Sequence, residues 1–247
     1  MAQATSPKLQ ATSATIWPHI DDITLSPGPC ASWVKILYTL CKDLGSKIML
    51  KKEARQITGG LSAPSKMPGP AYNLPAPDCI TGSILVNVIG SVCAGCYALK
   101  GRYRFSNVRM ALARRLESLK HPRWVEAMTA LIHGEPWFRW HDSGDLQSHA
   151  HLNRIFQVCD RTPETSHWLP TREAQYIKDI PPDKIPTNLI IRMSSHMVDQ
   201  PPVKFWPWTS TVSTRDSTCP ARLQNNQCKD CRACWDRSVS NVTYPKH

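Results

Sequence analysis

Apolar residues recur along this chain in two rhythms, and the change between them falls near Trp137. Before that point the spacing is helical. Val34, Leu37, Tyr38 and Cys41 predict a helix within Ser32–Leu44, and Val108, Leu112, Leu116 and Leu119 predict another over Asn107–Leu119. A third starts near Pro122 and ends at Gly134, with proline early and glycine after the end, as helix termini prefer. After Trp137 the short runs FRWHD, SHWLPT, NLIIRMSS and STVSTR alternate with helical stretches at Ala150–Asp160 and Arg172–Ile180. Strand, helix, strand is the signature of βα units on a parallel sheet. Each strand-like run ends in polar residues, and in parallel α/β folds chemistry gathers at the carboxyl ends of strands.

Two stretches lack either rhythm. Met1–Thr15 is mostly Ala, Thr, Ser, Gln and Lys and reads as a flexible tail with no signal-peptide core. Gly59–Asp78 carries Pro64, Pro68, Pro70, Pro75 and Pro77, a density that forbids a regular helix or a central strand. That loop runs straight into Cys79, so it reads as a linker or as a rigid entry to a metal site. The apolar run Ile84–Val92 is too short to cross a bilayer and contains Asn87.

Composition places the chain among soluble cytoplasmic proteins with no membrane partner: 41% hydrophobic and 20% charged residues are ordinary for a globular domain. Its charge changes the picture further. The formal balance is +11, and Lys100, Arg102, Arg104, Arg109, Arg114, Arg115, Lys120 and Arg123 stand against Glu117 alone. Such a stripe suits a nucleic acid, a nucleotide or an acidic partner, and a solvated helix face is the plainer alternative.

Ten cysteines are too many for a reducing compartment unless most bind metal. Cys30 and Cys41 have no close cysteine neighbour and read as packing residues. The others of interest form two groups. The first is Cys79, thirteen residues, then Cys93-Ala94-Gly95-Cys96; the second is Cys219, eight residues, then Cys228, Cys231 and Cys234 at CxxCxxC spacing. A CxxCxxC run wraps three thiolates around one cubane, whereas zinc is normally held by two separated pairs, so a [4Fe-4S] cluster is expected ahead of zinc. Three thiolates leave one corner of a cluster open for substrate, and four close it. One open and one closed cluster is the expected layout; a single site shared by both groups is the rival.

The phrases KMPGPAYNLP (66–75), CAGCYALKG (93–101), FRWHDSGDLQS (138–148), HWLPTRE (167–173) and CPARLQNNQCKDCRACWD (219–236) resemble the phage-encoded gene product 88 family. That resemblance implies a phage origin and a bacterial host cytoplasm. The CxxCYA piece and the strands after it are also similar to radical-SAM-like phage proteins. This second resemblance implies a partial (β/α) barrel and S-adenosylmethionine as a co-substrate, although thirteen residues stand where that pattern has three. Pattern and resemblance together lead to an α/β fold, an open or incomplete (β/α) barrel with an N-terminal helical segment (1–58) before a metal-binding domain (59–247). A Cys-rich C-terminal cap spans about residues 216–240.

The strand ends supply the remaining candidates. His141, Asp142 and Asp145 follow a strand in which Phe138 and Trp140 point one way and Arg139 and His141 the other. A histidine beside two carboxylates can move protons near neutral pH or complete a metal's coordination, while Ser148 or Asp145 can equally cap the next helix. Arg172 would clamp a carboxylate or phosphate, or pair with Glu173. Tyr97, Lys100 and Ser194 are the candidate cofactor contacts. His121, His133, His149, His151 and His247 read as surface residues. The expected function is an iron–sulfur enzyme of redox or radical type acting on a nucleotide, nucleic acid or other anionic substrate. The alternatives are a non-catalytic protein, its metal structural, that grips nucleic acid or a host bacterial protein, and a nuclease holding a divalent ion with His141, Asp142, Asp145 and Glu173.

Overall fold

The computed structural model describes residues 49–246 of the chain; the helix expected within Ser32–Leu44, with Cys30 and Cys41, lies outside them. Six strands form one sheet: β1 (Ala71–Tyr72), β2 (Trp137–Trp140), β3 (Ser166–Thr171), β4 (Leu189–Ser194), β5 (Thr209–Ser213) and β6 (Asn241–Pro245). They stand side by side in chain order, and every neighbouring pair is parallel. β2 to β5 are the four runs predicted from alternation. β1 hides inside the proline-rich loop, where Pro70 and Pro75 limit it to two residues, and it sits at the sheet's edge where a missing ladder donor is tolerated.

Among the described residues five α-helices accompany the sheet: α1 (Lys51–Thr58), α2 (Ile80–Leu85), α3 (Ser106–Ser118), α4 (Trp124–Ile132) and α5 (His149–Asp160). The Ser148 side chain caps α5 by accepting from the His151 N–H at 3.0 Å. A further helix expected over Arg172–Ile180 is not formed. Only the 3-10 turn Ala174–Tyr176 occurs there, and another, Pro182–Lys184, follows it. Pro181 drives Ile180 away from helical backbone angles, and the Glu173 side chain is committed elsewhere.

Side-chain alternation divides the sheet into two packed faces. Phe138, Trp140, Leu169, Ile191 and Met193 join Trp124 and Met128 of α4 and Leu152, Ile155, Val158 and Cys159 of α5 in the main core. Cys159 is thus a buried hydrophobe, as thiols often are. Met49 and Ala54 pack with Ala127 and Leu131 of α4, which joins the described end of the N-terminal segment to the α/β body.

Trp168 and Ile190 face the other way, against Trp235, Trp137, Cys234 and Tyr244. The C-terminal segment therefore covers this second face itself. Arg192 fastens it. Its guanidinium is fully buried and donates to the carbonyls of Ala233 (2.7 Å), Cys234 (3.0 Å), Asp236 (2.9 Å) and Thr209 (3.2 Å). Replacing Arg192 with leucine strands those acceptors without donors, at a cost of about 3 kcal/mol. Chemical denaturation of Arg192→Leu should register that loss, and limited proteolysis should cut first within residues 216–240. Unchanged stability and cleavage pattern would show that the segment is held by its tryptophans alone.

Candidate metal centre

Cys79, Cys93 and Cys96 come together at the carboxyl ends of the strands, in the connection that follows β1. α2 begins immediately after Cys79 and returns the chain toward Cys93. Gly82, one turn into α2, makes room for this: a side-chain carbon there would lie 2.8 Å from the Cys79 Cβ, 3.6 Å from its Sγ and 3.8 Å from the Cys93 Sγ. Both sulfurs thus face one small space that only glycine leaves open. The Cys96 N–H donates to the Cys93 carbonyl at 3.0 Å, the turn that brings a CxxC pair round. All three are free thiols. Burial first, then the nearby Asp145, Cys96, Cys93 and Glu173, push the Cys79 thiol far above the usual range. Burial also raises Cys93, against the Arg172 charge that draws it down. Thiols in such surroundings lose their protons readily only to a cation.

The polar strand ends brace this loop. Glu173, after β3, is 1% exposed and accepts from the Thr81 N–H (2.8 Å) and Thr81 Oγ1 (2.7 Å), placing a carboxylate at the start of α2. It is not paired with Arg172. Asp145, after β2, accepts from Thr171 Oγ1 (2.6 Å), the Arg172 N–H (2.8 Å) and the Leu146 N–H (2.8 Å). Burial lifts its carboxyl to about 6 despite these bonds, which pull it down. After β4, the His196 carbonyl accepts from the Val92 N–H at 2.9 Å, and the Val198 N–H donates to Gly90 at 3.0 Å. The ends of β3 and β4 therefore hold residues 79–96, and Asp145 after β2 braces the turn that carries Glu173.

His141, Asp142 and Asp145 do not form one proton-handling group. His141 has a positive φ of 59°, which breaks the strand's alternation and turns its ring inward, 5.3 Å from the His151 ring. Asp142 instead pairs with Arg139 at 2.9 Å and accepts from Tyr97 and, at 3.1 Å, from Tyr103. Gly144 permits the sharp path between them, since a side chain there would meet Leu74 at 2.5 Å. His151, read as a surface residue, is 3% exposed. Ser194 is buried and its hydroxyl bonds that of Ser210 at 2.9 Å, tying β4 to β5. Lys100 is exposed. Arg172 keeps its expected place, with its charge felt at Cys93.

Cys219, Cys228, Cys231 and Cys234 are likewise free thiols, with Cys219 near both Cys228 and Cys234 and Cys231 near Cys228. The Cys231 N–H donates to the Cys228 carbonyl at 2.9 Å, repeating the turn of the first pair. The Cys228 N–H bonds the Lys66 carbonyl and Cys219 bonds Thr243, so this group is tied to the proline-rich loop and to β6. Cys234 Sγ lies 3.1 Å from the Tyr244 hydroxyl. Between the two groups lies Arg139, a residue that alternation places on this face without revealing its role. Its guanidinium stacks on Trp168 at 4.4 Å; burial raises Tyr97 on one side and Cys228 and Cys234 on the other, and the Arg139 charge opposes that rise at all three.

Among the described residues no three His, Cys, Asp or Glu side chains gather tightly enough to hold a single ion, the carboxylates proposed for a nuclease included. The basic stripe also divides. Arg115 is an internal strut, donating to the Gly60 carbonyl at 2.9 Å and Ser62 Oγ at 2.8 Å, and Arg123 is spent on Glu53 and Glu126. Among the described residues no helix is long and apolar enough to cross a membrane.

These features define a parallel α/β protein with two groups of free cysteines, one at the strand ends and one against the sheet's second face. The chain belongs to the gene product 88 family, whose profile matches residues 44–237. No curated protein and no solved structure matches it, so the likeness to radical-SAM-like proteins rests on the sequence motifs alone.

The buried histidine pair makes a pH prediction. Burial, and then the Arg154 charge, push His151 down to about 3; burial, His151 and Arg139 push His141 well below its usual value. Both lie below the unfolded value of about 6.5, so the unfolded chain takes up protons first as pH falls. Stability is complete above about pH 6.5 and declines below it, by about 1.4 kcal/mol per pH unit for each such histidine. His151→Leu should reduce the slope of unfolding free energy between about pH 6 and 4 by one such increment. A slope equal to the parent's would mean that His151 titrates normally in the folded protein.

Proposed function

We propose that this protein holds an iron–sulfur cluster on Cys79, Cys93 and Cys96 and acts as a redox enzyme on an anionic substrate. The observation that carries the reading is that the Cys79 and Cys93 sulfurs face the one space that Gly82 leaves open, with Cys96 and Arg172 nearby, at the carboxyl ends of parallel strands. The donor set fits: soft, free thiols, two of them in a CxxC turn, with a basic residue beside them. When bound, such a cluster supplies one-electron transfers, and three thiolates leave one iron open to a ligand. We read the sheet as the wall of an incomplete (β/α) barrel whose upper rim is this site.

The chain's own residues then divide the work. Arg172 offers a planar fork to a carboxylate or phosphate next to Cys93. Asp142 orients Tyr97, the residue after Cys96, through its hydroxyl. Asp145 and Glu173 hold the loop and leave no free carboxylate to repel an anion. The Trp235 segment fills the sheet's second face, which confines substrate to the rim. The second group, Cys219, Cys228, Cys231 and Cys234, takes a closed metal centre that fastens this segment.

Protein purified without air should be brown and contain iron and acid-labile sulfide in comparable amounts. Cys96→Ser should lose the iron of the first centre while the unfolding midpoint changes little. Cys231→Ser should lose the other portion and melt at a clearly lower temperature, because metal-binding energy there is folding energy. A colourless protein carrying stoichiometric zinc would overturn the cluster assignment.

A second reading is favoured by one groove. Arg55, Arg114, Lys120 and His121 line a cleft of about 640 Å³ between α1 and the end of α3 together with Glu117, which pairs with Lys120, and the remaining basic excess suits a nucleic-acid backbone. Arg114→Ala with Lys120→Ala should then flatten the log–log salt dependence of DNA or RNA binding by about one to two units. Binding that these two changes leave untouched would remove this reading.

A further inference from the structure

Residues 97–110 emerge directly from the first cysteine group and pass through two 3-10 turns into α3. Along this stretch large apolar side chains stand open to water: Tyr97 45%, Leu99 38%, Phe105 60% and Met110 56% exposed. Lys100, Arg102, Arg104 and Arg109 are interleaved with them and are exposed as well. No acidic residue occurs between Asp78 and Glu117. α3 fully buries only Leu112 and Arg115, so its outward side has no covering element of its own among the described residues.

The composition identifies the class of partner. A nucleic-acid backbone is met by cations and polar groups, and exposed Phe105, Met110 and Leu99 would gain nothing from phosphates. Protein interfaces are enriched in aromatic residues, methionine and arginine and depleted in lysine and acids. This face has three arginines to one lysine and no acid, so its complement is a protein surface rich in carboxylates with an apolar centre. Electron-transfer encounters use small, charge-steered interfaces, below about 1,200 Å², and a patch of eight side chains is of that order.

We propose that residues 97–110 form the docking face for an acidic one-electron carrier protein, flavin- or iron–sulfur-bearing, that reduces the centre at Cys79, Cys93 and Cys96. The carrier loses one electron and the centre gains one; no bond is made and no proton moves. The inference rests on the redox reading of that centre.

The test uses the full chain purified without air and an acidic two-iron ferredoxin as the probe. Calorimetric titration should show weak binding at low salt that fades at physiological salt. Arg102→Glu with Arg109→Glu, and separately Phe105→Ser, should weaken it about tenfold or more while iron content and unfolding midpoint stay at the parent's values. Stopped-flow mixing with reduced ferredoxin should bleach the cluster absorbance more slowly in both variants. Absence of binding at low salt, or binding indifferent to these changes, would overturn the docking face and leave the cluster intact. A chain that ignores ferredoxin but binds duplex DNA through the same residues would assign the face to nucleic acid and overturn the proposal. Ferredoxin binding as expected in a chain without iron would overturn the electron step together with the cluster. Binding as expected to an iron-loaded chain whose spectrum reduced ferredoxin leaves unchanged would overturn the electron step alone.

Discussion

A parallel sheet delivers the carboxyl end of every strand to one edge, and the cysteine loop depends on that polarity. Residues 79–96 form only one short helix and expose Ile84 and Ile89, so they cannot hold their own shape through a core. They are held by what two neighbouring strands deliver, Glu173 to Thr81 and the backbone after β4 to Val92 and Gly90, while Asp145 secures the turn that positions Glu173. Taking two carboxylates out of water is costly, and here each is offset by N–H and hydroxyl donors. The return is a loop that holds its three thiols in fixed relative positions.

The sheet's two faces carry different kinds of cohesion. One is an ordinary apolar core of aromatic and aliphatic side chains under α4 and α5. The other is built from buried arginines: Arg192 gathers four carbonyls, and Arg139 lies between an aspartate, a tryptophan and the second cysteine group. A positive charge kept in that interior makes room for negative charge nearby. Four thiolates around a metal centre would be such a charge, and Cys228 and Cys234 already feel Arg139 in its absence. The C-terminal segment and the sheet thus look mutually dependent, with Arg139 and Arg192 as the common element.

Much of this was legible in the sequence where the signal is periodic. β2 to β5, α3, α4 and α5 follow from spacing alone, because each buries one face over several residues. β1 and β6 did not show: two residues between prolines carry no period, and β6 is a short edge strand with only Val242 buried. Side-chain roles were harder still. Arg115 reads as part of a basic stripe, yet its partners Gly60 and Ser62 lie 55 and 53 residues away in the chain. His141 follows a strand, but its positive φ reverses the direction that alternation assigns it. Asp145 and Glu173 were correctly drawn to the strand ends, and their partners, unseen in the sequence, make them braces.

The spacing of the first cysteine group is the feature that sequence comparison handles least well. Thirteen residues stand between Cys79 and Cys93, where the radical-SAM-like pattern has three. Six of the thirteen form α2, which sets out from Cys79, and the remainder returns along the ends of β4 to reach Cys93. A helix that starts at one of the thiols and turns back adds residues without adding distance. The long insertion then demands a specific residue: Gly82 faces both sulfurs, and any side chain there would enter the space they share. Sequence separation therefore says little about whether these thiols meet, and the glycine within the insertion says more.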